Sequence, residues 1–260
     1  MSSFLSPRGV VGLFAFLAAT AVGPMVEGAT PAKTASKVSP ADAVKYWQAA
    51  RAKLAAAPDD ERAMNQAVAI AKQLEREPAT GKFAIRAYSD LSAILRESKN
   101  EDAPLLSAKY AGAARRLGLI GHSMKIFGTL PNGDRLDASR LEGQVVLVDF
   151  WATWCGPCRK ELPNVKRNYE KYHARGFEVV GVSLDTDADA LQDFLGKEQI
   201  RWPVLVGNES TGAGWEIPLA IYYGVQSVPT AILIDQNGKV VSLNARGENL
   251  SRRLEELLGR

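Results

Sequence analysis

Apolar residues recur at helical spacing through the first half of the chain. Between residues 41 and 118, Ala, Leu, Lys, Arg and Glu dominate, and turn-forming residues interrupt the pattern at 58–60, 78–81 and 100–104. Within each stretch, apolar side chains stand three or four positions apart, as on one face of a helix. We therefore predict a module of about four antiparallel helices. The predicted core-facing side chains include Trp47, Leu54, Leu74, Phe83, Leu91 and Tyr110.

Short apolar runs separated by helical stretches fill the second half, residues 119–260. The predicted strands are 144–152, 177–184, 202–207, 230–235 and 239–244, and the predicted helices are about 157–174, 187–199 and 247–259. Asn237 and Gly238 lie between the last two strands and are typical of a tight hairpin turn. Strands that alternate with helices and end in a hairpin predict a mixed sheet covered by helices, so the fold class is α/β.

The first 28 residues have the pattern of a secretory signal peptide. Arg8 precedes an apolar run from Val10 to Val22, and small residues around Gly28 offer a cleavage site. The run is shorter than the ~20 apolar residues that span a membrane, and an uncleaved membrane anchor is the alternative. Residues 29–40 have the composition of a flexible linker. We predict an exported protein, for example a periplasmic one, in a compartment where disulfides form.

Composition and charge narrow the choice of partners. Hydrophobic residues make up 46% of the chain and charged residues 23%, as in ordinary globular proteins. The net charge of +3 predicts no large nucleic-acid surface. Residues 29–118 carry a net charge of +5, and residues 119–260 one of −2. The basic helical module could meet an acidic partner or a membrane surface, but an ordinary solvated surface is the simpler interpretation.

Cys155 and Cys158 are the only cysteines in the chain. A bridge that closes so short a loop barely restricts the unfolded chain, which argues against a structural staple. A structural zinc site needs four ligands, and the two histidines, His122 and His173, lie far from the pair in sequence. The pattern therefore favours a redox couple, and we predict neither a metal site nor another cofactor.

The local pattern suggests how the two thiols divide the chemistry. A strand ends near Ala152, and a helix begins near Pro157, a residue suited to a first helical turn. Cys155 then lies at the helix N-terminus, where free N–H groups and the helix dipole favour a thiolate. We predict that Cys155 is the nucleophile and that Cys158, one turn into the helix and less exposed, is the resolving thiol.

Asp149 interrupts the apolar strand six positions before Cys155. Burial of an unpaired carboxyl group raises its pKa, which suits a proton acceptor for Cys158. The alternative is an Asp149 side chain that faces outward or makes only structural hydrogen bonds.

Residues 148–158, "VDFWATWCGPC", resemble the active-site motif of thioredoxins, and Pro163 matches a proline that follows it in that family. Residues 227–241, "SVPTAILIDQNGKVV", resemble the later segment whose Val–Pro bond is cis and faces the dithiol. The stretch 120–144 is similar to the lead-in of exported TlpA/ResA-like thioredoxins, which are related to the redoxin and AhpC/TSA proteins. The resemblance covers about residues 119–260 and implies a thioredoxin-like sheet flanked by helices.

The same resemblance implies a substrate surface and a direction of reaction. It implies that Pro229 is cis and that Val228 offers its backbone to an incoming chain, with Trp154, Gly156 and Pro157 also contacting the substrate. It further implies that the dithiol reduces disulfides of exported client proteins, such as apocytochromes c, with electrons from a membrane thiol carrier.

Two features depart from ordinary thioredoxins. Gly181 aligns where that family carries a lysine near the buried carboxylate. Residues 186–223 exceed the ordinary connection, which predicts an added strand and helix.

Two other functions stay open at this point. One is a thiol peroxidase of the related peroxiredoxin group, although its reactive cysteine needs a different local motif. The other is a non-enzymatic adaptor, in which the helical module binds a partner and the dithiol acts as a redox sensor.

Overall fold

The structure, a computed structural model, describes residues 39–208 and 210–259. The predicted signal peptide and nearly all of the predicted linker lie outside the described residues. None of the described helices is both long enough and apolar enough to cross a membrane.

Four helices form the first half of the described chain: α1 (Pro40–Ala56), α2 (Glu61–Arg76), α3 (Gly81–Leu95) and α4 (Ala103–Leu117). The side chains of Ser39 and Asp60 accept hydrogen bonds from the first backbone N–H groups of α1 and α2. These caps satisfy donors that have no partner within the helix. Successive helices pack against one another, so the four apolar stripes meet.

The four helices enclose a hydrophobic core of their own. Phe83 is 44% exposed, so its predicted place in this core is wrong. The buried face of α3 begins at Ala84 and continues at positions 87, 88 and 91, which leaves Phe83 just outside it. The other predicted core side chains are buried: Trp47, Leu54, Leu74, Leu91 and Tyr110.

A five-stranded mixed sheet lies in the second half, with strand order β3-β2-β1-β4-β5. Its strands are β1 (Val145–Trp151), β2 (Phe177–Ser183), β3 (Val204–Leu205), β4 (Thr230–Ile234) and β5 (Val240–Ser242). β1 pairs in parallel with β2, and β2 with β3, whereas β4 is antiparallel to β1 and β5. The α-helices of this half are α5 (Gly156–Tyr172), α6 (Ala188–Lys197), α7 (Pro218–Tyr222) and α8 (Gly247–Leu258).

The predicted fold class is confirmed: a thioredoxin-like mixed sheet with flanking helices follows a four-helix region. β3 is shorter than the predicted strand, because only Val204 and Leu205 pair with β2. Residues 186–223 do contain an added strand and helix, β3 and α6, and α7 follows them.

A close backbone contact joins α4 to α7 and to the turn after α7. A Cβ atom at Gly112 would lie 2.4 Å from the carbonyl oxygen of Ile221. A Cβ atom at Gly224 would lie 2.1 Å from the backbone nitrogen of Ala113. Only glycine allows backbones to approach this closely, and Gly224 also has a positive φ of 56°. We call Gly112 and Gly224 the glycine seam.

Two arginines of α4 reinforce the glycine seam. The Nε of Arg116 donates a hydrogen bond to the carbonyl oxygen of Tyr223 at 3.2 Å. The guanidinium of Arg115 lies 4.0 Å from the centre of the Tyr222 ring and donates to the carbonyl oxygen of Tyr222. The helical region is therefore fastened to the chain segment that leads into Pro229.

Candidate active site

Cys155 and Cys158 lie where β1 gives way to α5, and they are joined by a disulfide with a Cα–Cα distance of 5.3 Å. Cys155 occupies the N-cap of α5, and its Sγ accepts a hydrogen bond from the backbone N–H of Cys158 at 3.1 Å. Pro157 stands in the first turn, where its missing N–H costs nothing. In the reduced state, the same N–H groups and the helix dipole would stabilise a thiolate on Cys155.

The two cysteines are about equally buried, at 4% exposed for Cys155 and 6% for Cys158. The expectation that Cys158 is the less exposed of the two is therefore wrong for the oxidised state. Trp154, Gly156 and Pro157 are exposed around the pair, so these three predicted substrate contacts form the rim of the site.

The Val228–Pro229 segment lies at the same end of the sheet as the dithiol. Phe150, near the end of β1, pairs with Thr230 at the start of β4. The peptide bond between Val228 and Pro229 is cis. Arg246 Nη1 donates a hydrogen bond to the carbonyl oxygen of Pro229 at 3.1 Å, which fixes this segment from the side of the loop before α8.

Asp149 lies in the middle of β1, between Gly181 of β2 and Ala231 of β4. Gly181 thus lies beside Asp149, as the resemblance to thioredoxins predicts. Asp149 is partly buried, and it lines the same small cavity as Cys158, of about 10 Å³. This volume is near the least that one water molecule needs.

The environment of Asp149 favours its protonated form. Burial, together with the nearby carboxylate of Glu161, raises the pKa of Asp149 to about 7, and the Arg246 guanidinium opposes both effects. The carboxyl group therefore changes its charge close to neutral pH, as a group that exchanges protons with a thiol should.

Glu161 and Arg246 were not among the predicted site residues. Glu161 lies on α5, three positions after Cys158, and its Oε1 accepts a hydrogen bond from the backbone N–H of Gly247 at 2.7 Å. A carboxylate one helical turn beyond the second cysteine was a usable signal. Arg246 gave no comparable signal, because it comes from a distant loop.

Asp185 was also missed, and it positions the loop that carries the dithiol. Its carboxylate accepts hydrogen bonds from the backbone N–H of Thr153 at 3.1 Å and from the Thr153 hydroxyl at 2.5 Å. The hydroxyl of Ser183 donates to the same carboxylate at 2.8 Å. These bonds tie the residues just before Cys155 to the end of β2.

A second exposed tryptophan extends the rim of the site. The ring centre of Trp215 lies 6.3 Å from that of Trp154. Trp215 belongs to residues 186–223, the stretch that exceeds an ordinary thioredoxin connection. This insertion thus contributes an aromatic surface near the dithiol.

Known proteins match the second half of the chain. The family model described as Redoxin matches residues 121–258. A thiol-disulfide oxidoreductase ResA from Bacillus thuringiensis subsp. konkukian is 34% identical over 126 residues, which cover 48% of this chain and 68% of the relative. ResA from Bacillus subtilis is 32% identical over 112 residues, covering 43% and 59% of the two chains.

Solved structures also match part of the chain. The thioredoxin domain of a thiol-disulfide oxidoreductase from Bacteroides vulgatus matches with a TM-score of 0.48 and 26% identity, over 54% of this chain and 97% of that domain.

Proposed function

Since the chain belongs to the Redoxin family and is a thiol-disulfide oxidoreductase of the thioredoxin-like kind, we propose that it reduces disulfides of partner proteins. The observation that carries this proposal is the Cys155–Cys158 disulfide at the N-terminus of α5. Both cysteines of the chain take part in that disulfide, so a peroxidase with a separate peroxidatic cysteine is not favoured.

The proposed reaction consists of two thiol–disulfide exchanges. The Cys155 thiolate attacks one sulfur of the client disulfide, forms a mixed disulfide and expels the other client sulfur as a thiolate. The Cys158 thiolate then attacks the sulfur of Cys155 and releases the second client thiolate. Two electrons pass to the client, and the chain is left with the Cys155–Cys158 disulfide.

Asp149 accepts the proton of Cys158 before the second exchange. Two observations support this role: the two side chains line one small cavity, and the pKa of Asp149 is raised to about 7. Only the ionised carboxylate can accept a proton, so the resolving step depends on the charge of Asp149.

The client is an exported protein with a reducible disulfide, for example an apocytochrome c, and a membrane thiol carrier returns the electrons. Val228 and Pro229, with Trp154, Gly156 and Pro157, form the surface on which the client chain lies. The signal-like first 28 residues support the exported location.

The reduction potential tests the proposed direction. Equilibrated in dithiothreitol or glutathione buffers, the chain should have a potential nearer the about −270 mV of thioredoxin than the about −120 mV of the oxidant DsbA. The reason is that Gly156 and Pro157, which stand between the two cysteines, match the corresponding dipeptide of thioredoxin, a reductant. A potential near that of DsbA would make the chain an oxidant, and the absence of any exchange with a folded chain would favour the sensing adaptor.

The Asp149→Asn substitution should slow resolution of the mixed disulfide by about tenfold or more and leave the first attack less affected. In the unsubstituted chain, resolution should accelerate as the pH rises through about 7, where Asp149 loses its proton, and this rise should vanish in the variant. Single turnovers quenched with acid and separated by non-reducing electrophoresis measure both steps. Asp193→Asn, at an exposed position of α6, is the matched control, and an unchanged resolution rate in Asp149→Asn excludes the proposed role.

A further inference from the structure

A cavity of about 460 Å³ lies where the helical region meets the loop that carries Pro229. Its walls come from α2, α3 and α4 on one side, and from residues 226–230 and 243–246 on the other. Pro229 and Thr230 belong both to this wall and to the end of the sheet beside the dithiol. We call this space the basic cavity.

The charged side chains of the basic cavity are mostly cationic: Lys72, Arg76, Arg116 and Arg246 face a single carboxylate, Glu75. Glu75 is already engaged, because its Oε1 pairs with Arg116 Nη2 at 2.8 Å. Its Oε2 accepts a hydrogen bond from the Tyr88 hydroxyl at 2.6 Å. The wall therefore presents an excess of positive charge.

Two of the four cations make neither an ion pair nor a side-chain hydrogen bond within the described chain. Lys72 and Arg76 stand one turn apart on the exposed side of α2, and neither takes part in an ion pair within the described chain. Arg246, by contrast, already donates to Pro229 and, at 2.6 Å, to Asn244 Oδ1. Lys72 and Arg76 are thus the cations that can pair with a ligand.

Gln226 adds a hydrogen-bond donor with no acceptor. Its Nε2 is out of contact with solvent and has no hydrogen-bond partner in the structure, although buried polar atoms are normally paired. Gln226 lines the basic cavity three residues before Pro229. Because the atom is closed off in this conformation, a ligand oxygen would satisfy it only after the Gln226 side chain turns toward the cavity.

We propose that the basic cavity binds an acidic segment of the client chain, next to the client's disulfide. This inference rests on the proposed function and names the chemistry of the client. A client chain that lies along Val228 and Pro229 reaches the cavity wall directly, because Pro229 is part of it. Client carboxylates then pair with Lys72 and Arg76, and the Gln226 side chain turns to donate to a client oxygen. The helical region thereby selects the client, and the net charge of +3 over residues 41–118 acquires a function.

Three synthetic peptides test the inference: they carry the same disulfide and differ only in flanking residues, which are Glu, Gln or Lys. The reduced chain should reduce the Glu peptide about two- to tenfold faster than the Gln peptide, the range that two exposed charge pairs supply. The preference should shrink as salt is added. The double variant Lys72→Gln/Arg76→Gln should reduce the Glu and Gln peptides at equal rates.

Lys82→Gln/Arg86→Gln is the matched control, since these exposed side chains also stand one turn apart but lie on α3 outside the cavity. This control variant should still reduce the Glu peptide faster than the Gln peptide. The same peptides with Ser in place of Cys measure binding without exchange, by fluorescence anisotropy. If the chain binds the acidic peptide more tightly but reduces none of the disulfide peptides, the proposed function is rejected and the proposed docking site is retained.

Three results would overturn the inference. The first is equal rates and equal affinities for the Glu and Gln peptides. The second is an equal loss of preference in the α3 control, which would indicate general charge attraction. The third is that free glutarate inhibits reduction of the Gln peptide as strongly as it inhibits reduction of the Glu peptide. This result would indicate a site for small anions instead of a client segment.

Discussion

Replacing Cys155 by Ser will lower the rate of disulfide exchange by a factor of about 10³ or more, because the substitution removes the proposed nucleophile. Replacing Cys158 by Ser will leave the first attack intact and stop the reaction at the mixed disulfide. The Cys158→Ser chain should then migrate with its client on non-reducing gels and separate from it after treatment with dithiothreitol. Cys155→Ser should form no such adduct.

The two cysteine variants also check the assignment of roles. An adduct formed by Cys155→Ser and not by Cys158→Ser would show that Cys158 is the nucleophile. Loss of the disulfide itself should cost about 2 kcal/mol of unfolding free energy at most, since the closed loop is very short. Thermal unfolding of both variants therefore separates lost chemistry from lost structure, and both should unfold at similar temperatures.

Gly112→Ala will lower the free energy of unfolding by about 3 kcal/mol, near the upper end for overpacking of a tight interior. The added methyl group would lie 2.4 Å from the backbone at both Ile221 and Gly224. These atoms are backbone, so no side chain can turn aside to make room. α4 and α7 must separate, and urea or thermal unfolding of the oxidised chain measures the cost.

Gly196→Ala is the control for the glycine seam. Gly196 also lies in a helix, α6, but a Cβ atom there meets nothing within 4 Å. The change should be neutral or stabilise the chain by up to about 1 kcal/mol, because Ala favours helix more than Gly does. Equal effects of the two substitutions would contradict the close contact between α4 and α7.

Local patterns carried most of what the sequence predicts correctly. The positions of Cys155 and Pro157 at the start of α5 follow from spacing within a few residues, and so do the strands on either side. The apolar stripes of the four helices are also local patterns. The prediction that Phe83 is a core residue is wrong only because Phe83 lies at the edge of its stripe. Where one neighbouring position decides between core and solvent, periodicity alone does not suffice.

The surroundings of Asp149 show what local patterns leave out. Glu161 and Arg246, which pull its pKa in opposite directions, come from α5 and from the loop before α8. Their meeting depends on how α5 and α8 pack, which no short stretch encodes. Cys155, at the N-cap of α5, is also as buried as Cys158 one turn further on, which position in the helix alone does not predict.

The glycine seam limits how this chain can be recombined with others. Gly224 lies only five residues before Pro229, so the four helices are anchored almost at the point where a client would lie. A chimera that moves these helices onto another thioredoxin scaffold will need glycine on both sides of the junction. Without these two glycines, the transplanted helices could not pack closely against the host domain. The basic cavity between helices and host would then lose one of its walls.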